Sequence, residues 1–426
     1  MLSKRNMILI AIAFIALLHA LMFIYVFHYR QPLSADGSWY DTFAWNFANG
    51  KGLVGPKGPL ILKPPLYPLF LGVLYFFFGH QPMIVLIFQS FIFSGCCVLL
   101  FYITRHFFDE KVSLGASLGL ALYFPLAYYA SGILTEILSI FLTALMVLFW
   151  IQYGKTRRKF FLTATGFSLG LLVLCKPIML LFPAVILMHL FWQGIRGKEW
   201  FWGTVLLVMS MVIVLAPWTV RNYLIFREWI PLSKGNMGHN LILATVDQKY
   251  DLWHWGFWLD DPEDPRRREL DEIHRKLETA YQQDPSLDLE ALYIRETLSR
   301  ITESPLEYLK GCGVRVLRLW ISYPSRSGPA VRETVVIFDS ALLVFFIVGL
   351  FLTRKQGKDL SVFWFSFIYM TVLHIPFHVE PRYLAPFKPY IFPYIVVALF
   401  WLSCFFRSRF CKERPKPNRL KGQRRP

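Results

Sequence analysis

The sequence is poor in cysteine and in acidic residues, and each shortage narrows what the chain can be. It has six cysteines in 426 residues, and only Cys312 falls in the longest polar segment, so that segment has no internal disulfide pair. No Asn-x-Ser/Thr acceptor occurs, which favours a bacterial membrane over a glycosylating one. His19, His189 and His374 lie far apart in the sequence and are interpreted as polar groups that face the bundle rather than as metal ligands. The sequence therefore predicts no cofactor, although it leaves a divalent metal open.

Apolar residues, in contrast, make up 55% of the chain and form long runs. About twenty apolar residues are needed to cross a bilayer core as a helix. Eleven runs approach this length: 7–27, 66–78, 83–104, 112–130, 133–153, 160–175, 177–193, 200–218, 334–352, 361–378 and 387–405. The first is longer than a signal-peptide core and is interpreted as a retained span. The predicted class is an all-α, multi-pass integral membrane protein.

The formal net charge of +17 would suit a nucleic-acid binder, but its distribution argues against one. Both termini and the short loops 105–111, 154–159, 194–199 and 353–359 carry 22 of the 45 basic residues and only 5 of the 28 acids. The remaining segments carry 23 of each. This is the positive-inside pattern that orients membrane spans. We therefore expect membrane lipids as partners, and no nucleic acid.

Two basic termini on the inner side require an even number of crossings, so one apolar run does not span. The best candidate is 66–78, because it is short and interrupted by Pro68. About ten spans remain. The predicted organisation is a first span, an outer loop with a juxtamembrane helix, a bundle of about six spans, an external helical domain, about three further spans and a basic cytoplasmic tail: 1–27, 28–82, 83–218, 219–332, 333–406 and 407–426.

The ionisable groups near the spans share one depth, at the outer ends. Such groups are costly in a bilayer and usually functional. They come from separate stretches: Asp36, Tyr40 and Asp41; Lys63; Glu136; Lys176; Arg221; and Glu380, Arg382 and Tyr383. Acids beside several cations at a lipid interface suit a lipid phosphate whose head group is transferred, with an Asp as general base. Taken singly, each has a simpler explanation: the aromatics as an interfacial belt, the cations as snorkelling side chains, Glu136 as a bundle partner and Asp41 as a turn cap.

The motifs themselves resemble those of GT-C membrane glycosyltransferases, in the branch of bacterial protein O-mannosyltransferase-like and lipid A aminoarabinose transferases. The matching elements run through most of the chain: Asp36, Tyr40, Ala44 and Gly50; Lys63 before "PPLYP"; Ser131 to Glu136; "PWTVRN" with Arg221; and "EPRYLAP" with Glu380, Arg382 and Tyr383. The resemblance implies that Asp36 is the catalytic base and that Lys63 and Arg221 hold the phosphate of a polyprenyl-phosphate sugar. One departure is Gly37, where mannosyltransferases often have a second acid.

The resulting hypothesis is an inverting glycosyltransferase that moves a sugar from a polyprenyl-phosphate carrier to a lipid, glycan or protein acceptor. The expected location is a bacterial cytoplasmic membrane, with the site facing the periplasm or exterior. The rival hypothesis is a transporter or flippase, which would favour ionisable groups at mid-depth and two related halves. Neither feature occurs in the sequence. A non-catalytic scaffold would explain the spans but not the matched acids and bases.

Overall fold

The computed structural model describes residues 3–28, 34–234, 237–249, 263–284, 287–322 and 329–410. Within these ranges lie seventeen α-helices, and strand is limited to the antiparallel pair Val54–Gly55 and Gly58–Pro59. The predicted all-α class is confirmed. Most of the predicted basic tail, beyond Phe410, lies outside the described residues.

The apolar part of the chain is built from thirteen of these helices. They are α1 (Lys4–Phe23), α2 (Ala35–Ala48), α3 (Leu66–Phe78), α4 (Pro82–Thr104), α5 (Glu110–Ala121), α6 (Phe124–Ala130), α7 (Glu136–Thr156), α8 (Lys159–Val173), α9 (Phe182–Trp192), α10 (Gly197–Phe226), α15 (Pro329–Thr353), α16 (Gly357–His374) and α17 (Phe392–Phe410). Short 3₁₀ turns at Pro177–Leu181, Pro381–Leu384 and Lys388–Ile391 precede α9 and connect α16 to α17.

Six of the helices are long and apolar enough to cross a membrane, and α5 with α6, bent by 53°, would form a seventh span. The predicted ten spans require α8, α9 with its preceding turn, and α16 to cross as well; these are shorter apolar helices. The run excluded by parity is α3, with 13 residues. At 1.5 Å per residue α3 is only about 20 Å long, less than the ~30 Å hydrocarbon core.

Small residues let pairs of helices in the bundle pack closely. A Cβ at Gly166 of α8 would lie 2.4 Å from the Leu207 carbonyl oxygen of α10, and one at Gly349 of α15 would lie 2.1 Å from that of Tyr394 in α17. Neither position has room for a side chain, so each glycine permits backbone contact, as is common between membrane helices.

The stretch that precedes α3 holds the first candidate residue, and it is helical where the sequence suggested a loop. Ser34 caps α2 by accepting a hydrogen bond from the Gly37 backbone N–H at 3.0 Å. Asp36 occupies the first turn, where a carboxylate is favoured by the helix dipole. Tyr40 and Ala44 follow at intervals of four on a buried face of the same helix.

The polar segment contains four helices, which we call the helical domain: α11 (Met237–Lys249), α12 (Pro265–Gln283), α13 (Leu289–Glu303) and α14 (Pro305–Trp320). It has its own apolar cluster, which includes Leu270, Ile273 and Leu277. These three residues recur at spacings of three and four, and Tyr281, four residues further along α12, is exposed. The polar segment begins later than predicted, because α10 continues to Phe226.

Helix α14 is amphipathic, and its two arginines are turned inward. Ser304 occupies the N-cap position and Pro305 the first helical position, but the serine side chain makes no capping hydrogen bond. Arg315 and Arg318 are buried, whereas Leu306 and Leu309 are largely exposed. The exposed leucines suit a helix that lies along a membrane surface.

Candidate active site

Asp36 is held between two cations that come from distant parts of the chain. The Lys63 ammonium donates a hydrogen bond to Oδ1, and Arg382 Nη1 donates to Oδ2 at 2.9 Å. Side-chain exposure is 33% for Asp36 and 21% for each cation. The three groups are therefore shielded yet reachable by a ligand.

Aromatic residues of α2 form the seat of Lys63. Its ammonium lies 5.2 Å from the ring centroid of Trp39 and 4.9 Å from that of Tyr40. Cation–π attraction at these distances stabilises a charged lysine. The aromatic residues around Asp36 thus contact its counter-ion, a role that an interfacial belt does not explain.

Arg382 lies in the 3₁₀ turn Pro381–Leu384 and joins two carboxylates. Besides Asp36, it donates from Nη2 to Glu380 Oε1 at 3.0 Å. The Tyr383 hydroxyl lies 3.4 Å from the same glutamate oxygen, and the Tyr383 ring stacks on His374 at 5.6 Å. Glu380 therefore holds the guanidinium through Nη2, while Nη1 contacts Asp36.

Charge dominates the electrostatics of the site. Burial raises the pKa of Asp36, but the neighbouring charges of Arg382 and Lys63 outweigh burial and hold that pKa well below its ordinary value. Burial lowers the pKa of Arg382, but the surrounding acids, chiefly Glu380 and then Glu136 and Asp36, raise it by more. The pKa of Arg382 therefore lies above its ordinary value. The resting site is therefore an ionised carboxylate held between a lysine and an arginine.

Glu136 and Lys176 form a second acid–base pair behind this site. Lys176 Nζ lies 2.9 Å from Glu136 Oε1, and their side-chain exposures are 16% and 2%. Among the described residues, Glu136 Oε2 has no hydrogen-bond partner. A nearly buried carboxylate with a spare oxygen can accept a hydrogen bond from a ligand hydroxyl.

Asp41 lies apart from the Asp36 cluster. It accepts hydrogen bonds from the Tyr75 hydroxyl at 2.5 Å and pairs with His80 Nε2 at 2.8 Å. Five residues along a helix correspond to a rotation of about 140° relative to Asp36. The two carboxylates therefore face different neighbours, and Asp41 joins α2 to the end of α3.

Arg221 contacts the segment that precedes Lys63 and does not contact Asp36. Its Nη1 donates to the Leu60 carbonyl at 2.7 Å and to Asn222 Oδ1 at 2.9 Å, and its guanidinium lies 4.5 Å from the Trp218 ring centroid. Because Leu60 precedes Lys63 by three residues, Arg221 supports the segment that carries this lysine.

The donor set at Asp36 does not fit a divalent metal, because cationic side chains contact both of its oxygens. In the described part of the chain, no group of three or more His, Cys, Asp or Glu side chains could hold a metal ion.

The chain is similar to known proteins in part of its sequence and in its fold. Residues 62–218 match the family model described as dolichyl-phosphate-mannose-protein mannosyltransferase, and no curated protein matches the chain. The oligosaccharyltransferase of Archaeoglobus fulgidus, in its apo form, superimposes with a TM-score of 0.58 at 12% identity, covering 97% of this chain and 52% of that one. The chain has the GT-C fold. The resemblance of the motifs to GT-C membrane glycosyltransferases is confirmed at the level of the fold, and the family model covers residues 62–218 of the chain.

Two further structures of the archaeal GT-C enzyme show the same similarity. Its complex with an inhibitory peptide and a dolichol-phosphate gives a TM-score of 0.54 at 12% identity, over 97% of this chain and 52% of that chain. The form tethered to an acceptor peptide gives 0.56 at 12% identity, over 95% and 51%. This chain thus spans about half the length of these GT-C relatives, and at this identity the similarity concerns the fold.

Some contacts of the candidate site had no signal in the sequence. The stacking of His374 on Tyr383 and the cation–π contact of Lys63 with Trp39 join residues from different segments of the chain. The hydroxyl of Tyr67, a ring that packs against Tyr40, donates to Gln89, which in turn donates to the Gly132 carbonyl. The shared depth of the ionisable groups predicted that they would cluster, but it did not predict these aromatic and amide contacts.

Proposed function

We propose that the protein is an inverting glycosyltransferase that moves a sugar from a polyprenyl-phosphate carrier to an acceptor hydroxyl at the outer face of a bacterial cytoplasmic membrane. The observation that carries the proposal is the cluster of Asp36, Lys63 and Arg382. The family match and the dolichol-phosphate bound to the archaeal relative support a lipid-linked donor.

In the proposed reaction, the acceptor oxygen attacks the anomeric carbon as the bond from that carbon to the phosphate oxygen breaks. Asp36 takes the acceptor's proton, and the polyprenyl phosphate leaves with the bonding electrons. Charge builds on the departing phosphate, and preorganised cations stabilise that charge. Lys63 and Arg382 are assigned this role because they are the cations in contact with Asp36.

The same contacts would couple donor binding to the basicity of Asp36. In the resting site both cations depress its pKa, which makes it a weak base. When phosphate oxygens compete for Lys63 and Arg382, the carboxylate loses part of this stabilisation and becomes a better proton acceptor. A bound donor would thereby activate the base that serves it.

Inversion follows from the use of one carboxylate. A retaining route requires a second carboxylate about 5 Å away as nucleophile. Asp41 is engaged by Tyr75 and His80, and Glu380 is bound to Arg382. We assign Glu136 with Lys176, and Tyr40 and Tyr383, to binding the sugar and its phosphate.

The test is transfer of a labelled sugar from polyprenyl-phosphate donors in membranes that contain the protein. Transfer that depends on Asp36, with product of inverted anomeric configuration, is the expected result. Full activity of Asp36→Asn would refute the assignment. Movement of donor across vesicles without any glycosyl product would support the transporter hypothesis instead. Mass spectrometry of envelope glycolipids from cells with and without the gene would identify the acceptor.

A further inference from the structure

Residues 375–380 connect α16 to the turn that carries Arg382, and we call them the strap. The strap is not helical, and it begins directly after His374. It ends at Glu380, the residue that holds Arg382 from behind. Any shift of the strap therefore shifts the guanidinium next to Asp36.

The helical domain holds the strap through its backbone. From α14, Arg315 Nε donates to the Ile375 carbonyl at 2.8 Å, and the Tyr308 hydroxyl donates to the Pro376 carbonyl at 3.0 Å. From α11, the Asn240 carbonyl accepts the His378 N–H at 3.0 Å. Three hydrogen bonds from two helices thus fix three residues of the strap.

Arg315 is the centre of this attachment. Its side chain is buried, Nη1 donates to the Ala244 carbonyl of α11 at 3.2 Å, and its guanidinium lies 4.9 Å from the Tyr308 ring centroid. A buried guanidinium that is hydrogen-bonded to two segments holds them in a fixed relation, because its donor geometry is planar and rigid.

The far end of the strap is also anchored to the helical domain. The His378 ring is buried, with Nδ1 3.9 Å from Asp247 Oδ2, and Asp247 accepts a hydrogen bond from Arg318 Nη1 at 2.5 Å. The helical domain therefore contacts the strap at its beginning and two residues before Glu380.

We propose that the helical domain positions Arg382 through the strap, and that Arg315 is the positioning residue. The inference rests on the proposed glycosyl transfer, since it explains how Arg382 is kept in register with Asp36. The domain is then part of the machinery that aligns the phosphate contact, in addition to any part it has in choosing the acceptor.

The test compares Arg315→Met with Arg300→Met in the full-length protein. Arg300 is a matched control, because it is a half-buried arginine of the same helical domain. Its hydrogen bonds go to Thr245 and Glu269 within that domain. We expect Arg315→Met to lower kcat about 10- to 100-fold, since a misplacement of ~1 Å can cost ~10²-fold. Arg300→Met should stay near wild type per folded molecule.

The pH profile separates positioning from general loss of structure. Displaced Arg382 depresses the pKa of Asp36 in the free enzyme less, so the acid limb of kcat/KM should move to higher pH in Arg315→Met and remain in place in Arg300→Met. Arg315→Lys should restore part of kcat. An unshifted limb in Arg315→Met, or equal losses in the two methionine variants, would overturn the inference.

Hydrogen exchange provides a readout that does not depend on transfer. The His378 N–H should exchange faster in Arg315→Met than in the wild type or in Arg300→Met. If wild-type protein transfers no sugar, the proposed function fails, while unchanged exchange in Arg315→Met would show that the strap inference fails by itself.

Discussion

Two aspartates, Asp36 and Asp339, each contact a lysine near the ends of apolar helices, yet their surroundings differ. Asp339 is fully buried, and its donors are the Tyr123 hydroxyl at 2.6 Å, the Ser322 N–H at 2.5 Å and Lys388 Nζ at 3.0 Å. Asp36 is one-third exposed and contacts two cations. The first cluster is closed and saturated; the second is open, and both its cations can bind an incoming anion. The comparison separates an ion pair that joins helices from one that is suited to a reaction.

Neutralising Asp36 should have the largest effect on sugar transfer. Asp36→Asn removes the base but keeps the shape, so sugar transfer should fall about 10²- to 10⁴-fold. Thermal unfolding of the purified protein should change little, because the group is partly solvated. Transfer rates in membranes with matched protein levels are the measurement, and normal transfer would remove Asp36 from the mechanism.

Neutralising Asp339 should give the opposite result. Asp339→Asn leaves Lys388 buried without its counter-ion, and breaking a buried pair in this way typically costs about 3–5 kcal/mol. We expect a lower free energy of unfolding in detergent, with turnover per folded molecule retained. The double variant Asp339→Asn with Lys388→Met is the control, since removing both charges should recover part of the loss. Lost turnover at full stability would contradict the distinction between the two clusters.

The next largest effect is expected for the two cations that contact Asp36. Loss of one preorganised donor costs about 3–4 kcal/mol, or 10²- to 10³-fold in rate. We expect this loss for Arg382→Ala and Lys63→Ala, and partial recovery in Arg382→Lys, which keeps the charge without the planar fork.

Arg221→Ala provides the matched comparison, because Arg221 contacts the Leu60 carbonyl and not Asp36. Its effect should be smaller, about 10-fold, in line with the loss of one hydrogen bond to a charged group. Steady-state transfer rates decide the order. If Arg221→Ala is as defective as Arg382→Ala, Arg221 also contacts the phosphate, as the family resemblance implied.

The smallest expected effect concerns pH. Above the ordinary carboxyl pKa of about 3.9, Asp36 is ionised in folded and unfolded protein, and its ion pairs stabilise the fold. This contribution is lost as the pH falls through the depressed pKa of the folded state. The acid limb of kcat/KM for sugar transfer should therefore lie below about pH 4 in the wild type. Lys63→Met should move the limb upward, because one of the two depressing charges is gone; an unmoved limb would show that Lys63 has little influence on Asp36.

The sequence was informative where one helix carries the pattern. The motif on which the resemblance rests has Asp36, Tyr40 and Ala44 at intervals of four, and all three lie on one face of α2. Apolar runs located the helices of the bundle, since a membrane solvent leaves few alternatives to helix. The helical start at Ser34 was missed, because the polar residues of that stretch resemble a loop.

Contacts between distant segments were less predictable. The shared depth of Lys63, Arg221 and Arg382 suggested a cluster, but it could not rank the two arginines, because the ranking depends on the path of the strap. Arg315 was beyond sequence reasoning altogether: it binds backbone carbonyls of Ile375 and Ala244, and a backbone acceptor leaves no trace in residue identity.

The seat of Lys63 on Trp39 also gives the site an optical signal. A cation held over an indole ring perturbs the energy levels of that ring, and withdrawal of the cation reverses the perturbation. An anion that draws Lys63 away should therefore change the fluorescence of Trp39. The difference spectrum between wild type and Trp39→Phe would isolate this residue from the other tryptophans, so that occupation of the site could be followed in real time without waiting for a glycosyl product.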